Sequence, residues 1–258
     1  MKRRDFTTLM SIGAVFTTVK GYGMGSPKQI GQPIPKDRKL RIAMVGVEGR
    51  GKNNRQGMAH EEIVALCDVD STAIAKALKE FPKARQFKDF RKMLVAMDAQ
   101  IDAVVVSTPD HMHFPVAMMA IQMGKHVFVE KPLAHDPWEV RQLRLAAKKH
   151  NVITQMGNQG HAGEGGRLVK EWYEAGLIGD VKDAYVWTDK PVPSVPGKPS
   201  PWWPDTLVRP TGIEPVPETL DWNLWLGVAP TRPYSQYYHA KRWRRVWEFG
   251  TGGLGDMA

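Results

Sequence analysis

Two short clusters hold the side chains best suited to chemistry. Residues 107–113 read Ser-Thr-Pro-Asp-His-Met-His and residues 130–132 read Glu-Lys-Pro. Each follows a run of β-branched and apolar residues, so each sits where a buried strand ends. In an open parallel sheet that is where ligands bind. Lys131 there can donate to a substrate hydroxyl and steady the charge that grows on its oxygen. The plainer alternative for Lys131 is a salt bridge to a nearby carboxylate. His111 and His113 have a spacing open to two metal ligands, but the sequence places no third donor, so no metal is assigned.

If the carbon bearing that hydroxyl is to lose a hydride it needs an acceptor, and the sequence offers a site for one. Gly46-Val-Glu-Gly49-Arg50-Gly51 follows the first apolar run. The dinucleotide fingerprint is G-x-G-x-x-G, a tight turn whose amides meet a pyrophosphate. Gly46 and Gly51 take its first and third positions. Glu48 stands at the second, where bulk and negative charge oppose a phosphate, so contact is expected to shift to the amides of Gly49, Arg50 and Gly51. Asp68 ends the second apolar run, twenty-two residues after Gly46. A carboxylate there accepts from the adenosine ribose hydroxyls. Val69 and Asp70 follow it instead of Arg or Lys, which favours NAD over NADP.

These positions require alternating strands and helices. Short apolar runs at 40–46, 63–68, 101–107, 126–130, 152–156 and 181–188 read as strands. Helical spacing appears at 71–81 (with Ser71 as N-cap), 88–97, 114–124, 137–150 and 164–176. Such alternation predicts an α/β, Rossmann-type, doubly wound parallel sheet with both faces covered. After residue 190 the character changes: eleven of nineteen prolines fall at 191–233 and seven of nine tryptophans from Trp187 onward. Residues 191–217 therefore read as a long irregular excursion. A basic aromatic stretch follows, from Tyr234 to Trp247. It suits packing against a further sheet first, stacking on a sugar ring second, and single-stranded nucleic acid last.

The 258 residues carry 36 Lys/Arg against 27 Asp/Glu, a net charge of +9. Residues 1–38 hold seven of those basic residues and two Asp, so five of the nine units lie there and the rest of the chain keeps four. Nucleic acid binding thus loses its main support. Residues 1–38 run from a basic start through an apolar stretch at 6–19 to a Gly/Ser/Pro linker, the layout of an export signal. Arg3-Arg4-Asp5-Phe6 is of the twin-arginine type, which places the protein in the periplasm. One cysteine, Cys67, excludes an intramolecular disulfide, and no apolar run of 18 residues suits a membrane span.

The ordered motifs resemble the glucose-fructose oxidoreductase/inositol dehydrogenase (Gfo/Idh/MocA) family: Val106–His113 (VSTPDHMH), Val129–Pro132 (VEKP), Met156–His161 (MGNQGH), Leu220–Gly227 (LDWNLWLG) and Gly250–Met257 (GTGGLGDM). The later segments are similar to its exported bacterial branch. The resemblance runs from Leu40 to the last residue. It implies an NAD-dependent enzyme that moves hydride between a sugar or polyol carbon and nicotinamide, with glycoside hydrolysis by transient oxidation as the alternative found in some relatives. A non-catalytic sugar- or nucleotide-binding protein is the third reading, favoured by Glu48. Lys131 would contact the reacting hydroxyl, with a cis bond before Pro132 aiming it. Ser107, Thr108, Pro109, His113 and Glu130 would line the nicotinamide side, and Asn158 and Gln159 the boundary between cofactor and substrate. Asp256 would be a catalytic residue of a D-x-x-x-H pattern, paired with the histidine that is the usual general acid/base and falls beyond Ala258, so the sequence reads as a piece of a longer protein. The domains implied are an export leader at 1–38, an NAD-binding domain at 39–158, and at 159–258 the opening of an α+β open-sheet domain that binds substrate and forms a homo-oligomer.

Overall fold

The computed structural model describes residues 37–161, 163–187, 210–239 and 241–257. The leader up to residue 36 and the Pro/Trp-rich stretch 188–209 lie outside the described residues. Strands β1 (Arg41–Val45), β2 (Glu62–Cys67), β3 (Arg85–Phe87), β4 (Ala103–Val106), β5 (His126–Glu130) and β6 (Thr154–Gly157) form one sheet in the order β3-β2-β1-β4-β5-β6. Every pairing is parallel. The order reverses between β1 and β4, which opens a crevice at their carboxyl ends.

Helices cover the two faces unequally. Ala43, Val45, Val104, Val106, Val127 and Val129 point to one face, against α3 (Phe90–Ala96), α4 (His113–Gln122) and α5 (Pro137–His150). Ile42, Met44, Leu66 and Val105 point to the other, where α2 (Ser71–Glu80) contributes Ala73, Ile74 and Ala77. Aspartates start three of these helices. Asp70 accepts from Thr72 N–H, Asp89 from Arg91 N–H, and Asp136 from Trp138 and Glu139 N–H. Each side chain satisfies amides that have no partner in the first turn. The cap of α2 is thus Asp70 and not Ser71, because the residue still extended, at φ −102° and ψ 116°, is the one whose carboxylate can reach back.

Two elements escape the sequence pattern. Helix α1 (Arg50–Gly57) is built from RGKNNRQG, which has no apolar stripe. Strand β3 is three residues at the sheet edge. A strand expected at 181–188 is not formed over 181–187, where no described residue pairs with it as a strand. Helix α6 (Glu164–Glu174) buries none of its residues, and Tyr185, Val186 and Trp187 after it are exposed.

The segment from residue 210 onward makes a separate aromatic core. Helix α7 (Trp222–Leu226) is capped by Asp221. Trp222, Trp225, Tyr234, Tyr238, Trp243 and Phe249 pack with Leu220 and Leu226. Tyr234, Tyr238 and Trp243 of the basic aromatic stretch thus pack with Trp222, Trp225 and Phe249. This core joins the sheet domain through an antiparallel bridge between Asp70 and Leu220, and it ends in α8 (Gly252–Met257).

Candidate active site

The crevice holds a cavity of about 760 Å³, within the range of cofactor and substrate sites. One wall is the glycine loop. Gly46 has φ +80°, and a Cβ there would lie 2.6 Å from the Ser107 carbonyl oxygen. A Cβ on Gly51 would lie 2.1 Å from the Gly46 carbonyl oxygen. Both glycines are therefore needed for α1 to press against β1 and β4. Gly49, at φ +59°, turns the chain into α1. Gly46, Gly49 and Arg50 border the cavity, whereas Gly51 serves the packing beneath it.

Asp68 stands at the end of β2 on the cavity wall. Its carboxylate accepts from Val47 N–H at 2.9 Å and Asp70 N–H at 3.1 Å. Burial pushes its pKa above the ordinary carboxylate value, and these two amides oppose the rise. Glu48 does not face a phosphate position bare, as its sequence place suggests. Its carboxylate accepts from Arg55 Nη2 at 3.0 Å.

The other strand ends converge on Lys131. The Lys131–Pro132 bond is cis. Nζ of Lys131 donates to Asp256 Oδ1 at 2.7 Å and also to the Asp256 carbonyl. Arg244 Nε lies 3.5 Å from the same carboxylate. The salt-bridge role and the position at the cavity are thus both present in one lysine, and the pairing joins residues 125 apart in sequence.

Glu130 lies beside Lys131 and is buried. It accepts from Arg50 Nε at 3.1 Å, Asn54 Nδ2 at 2.8 Å and Gln159 Nε2 at 2.6 Å. Asn54 also donates to Ser107 Oγ at 2.9 Å. One carboxylate so ties α1, β4 and the segment after β6 together. Gln159 reaches the cavity by this route. Asn158 is exposed and does not border it, because the chain turns outward after Gly157.

The Asp-His-Met-His cluster does structural work. Asp110 accepts from Thr251 N–H at 3.1 Å and Thr251 Oγ1 at 2.8 Å. His111 donates its backbone N–H to the Phe249 carbonyl at 3.2 Å, and its ring packs between Trp225 and Phe249. Burial lowers the pKa of His111 to about 4, so the ring is neutral. Nδ1 of His113 lies 2.7 Å from the Pro132 carbonyl oxygen and Nε2 lies 2.8 Å from that of Thr108. Neither histidine is left to ligate a metal. His113 borders the cavity, and both its nitrogens lie against backbone carbonyls.

Thr108 Oγ1 is buried with no hydrogen-bond partner and Thr108 borders the cavity. Buried hydroxyls are rarely left so. The loop that only glycines can form, the carboxylate of Asp68 and this hydroxyl together fit a dinucleotide. Asn54, Arg55, Asp110, His111, Trp225 and Arg244 were not singled out as site residues from the sequence. Only Asp110 and His111 carried a signal, through their place at a strand end.

Comparison with known proteins matches these two walls separately. Residues 40–158 fit the model of the Gfo/Idh/MocA oxidoreductase family for its NAD-binding Rossmann fold, and residues 202–258 fit that for its C-terminal alpha/beta domain. The chain belongs to the Gfo/Idh/MocA family. A glycosyl hydrolase family 109 protein of Shewanella pealeana is 28% identical over 219 residues, 76% of this chain and 48% of its own length. An alpha-N-acetylgalactosaminidase of Shewanella oneidensis is 27% identical, with 68% and 40% covered. The solved scyllo-inositol dehydrogenase of Lactobacillus casei, with bound NAD(H) and scyllo-inositol, is 29% identical with a TM-score of 0.51, covering 55% of this chain and 43% of that one. The chain thus spans about half the length, or less, of the curated relatives it matches. In Gfo/Idh/MocA terms, its two matched parts meet where Lys131 pairs with Asp256.

Proposed function

We propose that the protein is an NAD-dependent oxidoreductase acting on a hydroxyl-bearing carbon of a sugar or polyol. The observation that carries this is the Lys131–Asp256 pair beside the glycine loop and Asp68 in one cavity. Gly46, Gly49 and Arg50 hold the pyrophosphate, Asp68 the adenosine ribose, and Thr108, Pro109, Ser107 and Glu130 the nicotinamide half. The nicotinamide, when bound, exchanges a hydride with the substrate carbon. Lys131 Nζ donates to the reacting oxygen and stabilises its negative charge. Asp256 holds Nζ in place, and its carboxylate takes up the hydroxyl proton. The match of the likeness to a dehydrogenase solved with NAD(H) and an inositol supports a polyol or sugar as substrate.

The test is direct. Purified protein is titrated with NAD and followed by quenching of tryptophan fluorescence, then offered sugars and inositols while NADH absorbance is read. NAD binding with NADH formation on one substrate class is the expected result. No NAD binding overturns the proposal.

The second reading is glycoside cleavage with no net redox change, favoured by the two glycosyl hydrolase relatives. Aryl glycosides distinguish it: release of the aglycone without NADH supports it. We also infer export through a twin-arginine signal, on the strength of Arg3-Arg4-Asp5-Phe6, and assembly as a homo-oligomer through the family's second domain. Replacing Arg3-Arg4 by Lys-Lys is expected to leave the protein in the cytoplasm. Light scattering tests the assembly.

A further inference from the structure

Arg55 is an unusual residue for its place. It lies in the sixth position of α1, and its side chain is 1% exposed. A buried guanidinium is costly unless every part of it is paired. Nε donates to the Val47 carbonyl at 3.1 Å. Nη2 donates to Glu48 Oε1 at 3.0 Å, and Nη1 pairs with Glu80 at the end of α2. Both carboxylates keep contact with solvent, being 32% and 38% exposed. The group that gives up all of its hydration is the arginine. It has done so directly under the glycine loop.

The reason lies in what Glu48 would otherwise do. Glu48 borders the cavity at the fingerprint position where the backbone approaches a pyrophosphate. A free carboxylate there repels a dianion across a low-dielectric wall. We propose that Arg55 is a positioning residue for the dinucleotide: it turns the Glu48 carboxylate toward the interior and cancels its charge, so the loop amides and the N-terminus of α1 set the potential that phosphates meet. This inference rests on the NAD-binding reading above and goes beyond it, because it explains how an acidic loop residue is accommodated in this chain.

The experiment compares NAD affinity in the parent protein, Arg55→Met and the double variant Glu48→Gln/Arg55→Met, each at low and high salt. Both variants lose the same buried guanidinium, so any packing defect is common to them. Arg55→Met is expected to bind NAD about tenfold more weakly at low salt, the scale of one uncompensated charge near the surface. That loss should shrink as salt rises, and the double variant should recover most of it. Equal losses in both variants, or a loss insensitive to salt, overturn the proposal. If Arg55→Met does not fold, Arg55→Gln takes its place: a salt-sensitive loss that Glu48→Gln reverses supports the proposal, and parental affinity in Arg55→Gln overturns it. A parent protein that binds no NAD removes the cofactor reading itself, an outcome distinct from binding in the parent without the charge effect.

Discussion

The cavity has two walls made in different ways. The first, from β1, β2, β4 and β5, is regular backbone: strand ends, a glycine turn and capped helices. The second, residues 210–257, contains little regular structure and is held by rings packed around Phe249, which is 0% exposed. The first wall is specified by hydrogen-bonding pattern, so single positions such as Gly46 decide it. The second is specified by side-chain volume and by latches to the first that include Asp110 to Thr251 and His111 to Phe249. The chemistry proposed above sits where the walls touch, in a lysine from one and a carboxylate from the other. Each wall should therefore fail in its own fashion.

The largest effect is expected at the meeting point. Lys131→Ala should lower kcat about 10²–10⁴-fold, the usual range for a positioned acid–base group, while the dissociation constant for NAD stays within a few-fold. Retained turnover would detach Lys131 from the chemistry. Next, Phe249→Ala should destabilise the second wall by about 3–5 kcal/mol, as for buried aromatics generally. Urea unfolding should then show the 210–257 core melting ahead of the sheet, and a single unshifted transition would deny that the walls are independent.

A smaller effect comes from pH. His111 has an ordinary pKa of 6.5 and a folded value of about 4. Between those values the unfolded chain binds a proton that the folded chain refuses, so stability falls as pH drops from 6.5 toward 4. The total is at most about 3 kcal/mol. Asp110, whose carboxyl is raised by burial, acts in the opposite sense. His111→Gln should flatten the slope measured by urea midpoints at pH 7 and 4.5, and an unchanged slope would place its origin elsewhere. The smallest expected change is about tenfold weaker NAD binding in Asp68→Asn, the worth of one charge-assisted hydrogen bond, with Lys131-dependent turnover at saturating NAD unaffected.

Legibility in the sequence followed the same division. The doubly wound parallel sheet and the places where β4 and β5 end could be read because apolar periodicity and turn residues are local signals. Helix α1 could not, since Asn54 and Arg55 are buried through polar contacts that no hydrophobic pattern records. Asp70 displaced Ser71 as the cap of α2 for a similar reason: either residue suits the role, and only the backbone chooses. The strand expected at 181–188 has suitable residues but no strand partner over 181–187 among the described residues. Asp256 as a site residue came from motif likeness alone, and its contact with Lys131, across 125 positions, leaves no trace in spacing.

His113 has a wider meaning in this light. Its ring is clamped between the Thr108 and Pro132 carbonyls, like a rivet through two plates. The loop presenting the cofactor-facing hydroxyl and the loop carrying the lysine cannot drift apart independently. The entropy of bringing them into register is settled when the chain folds, before any ligand arrives. Binding then has only the small molecules left to align.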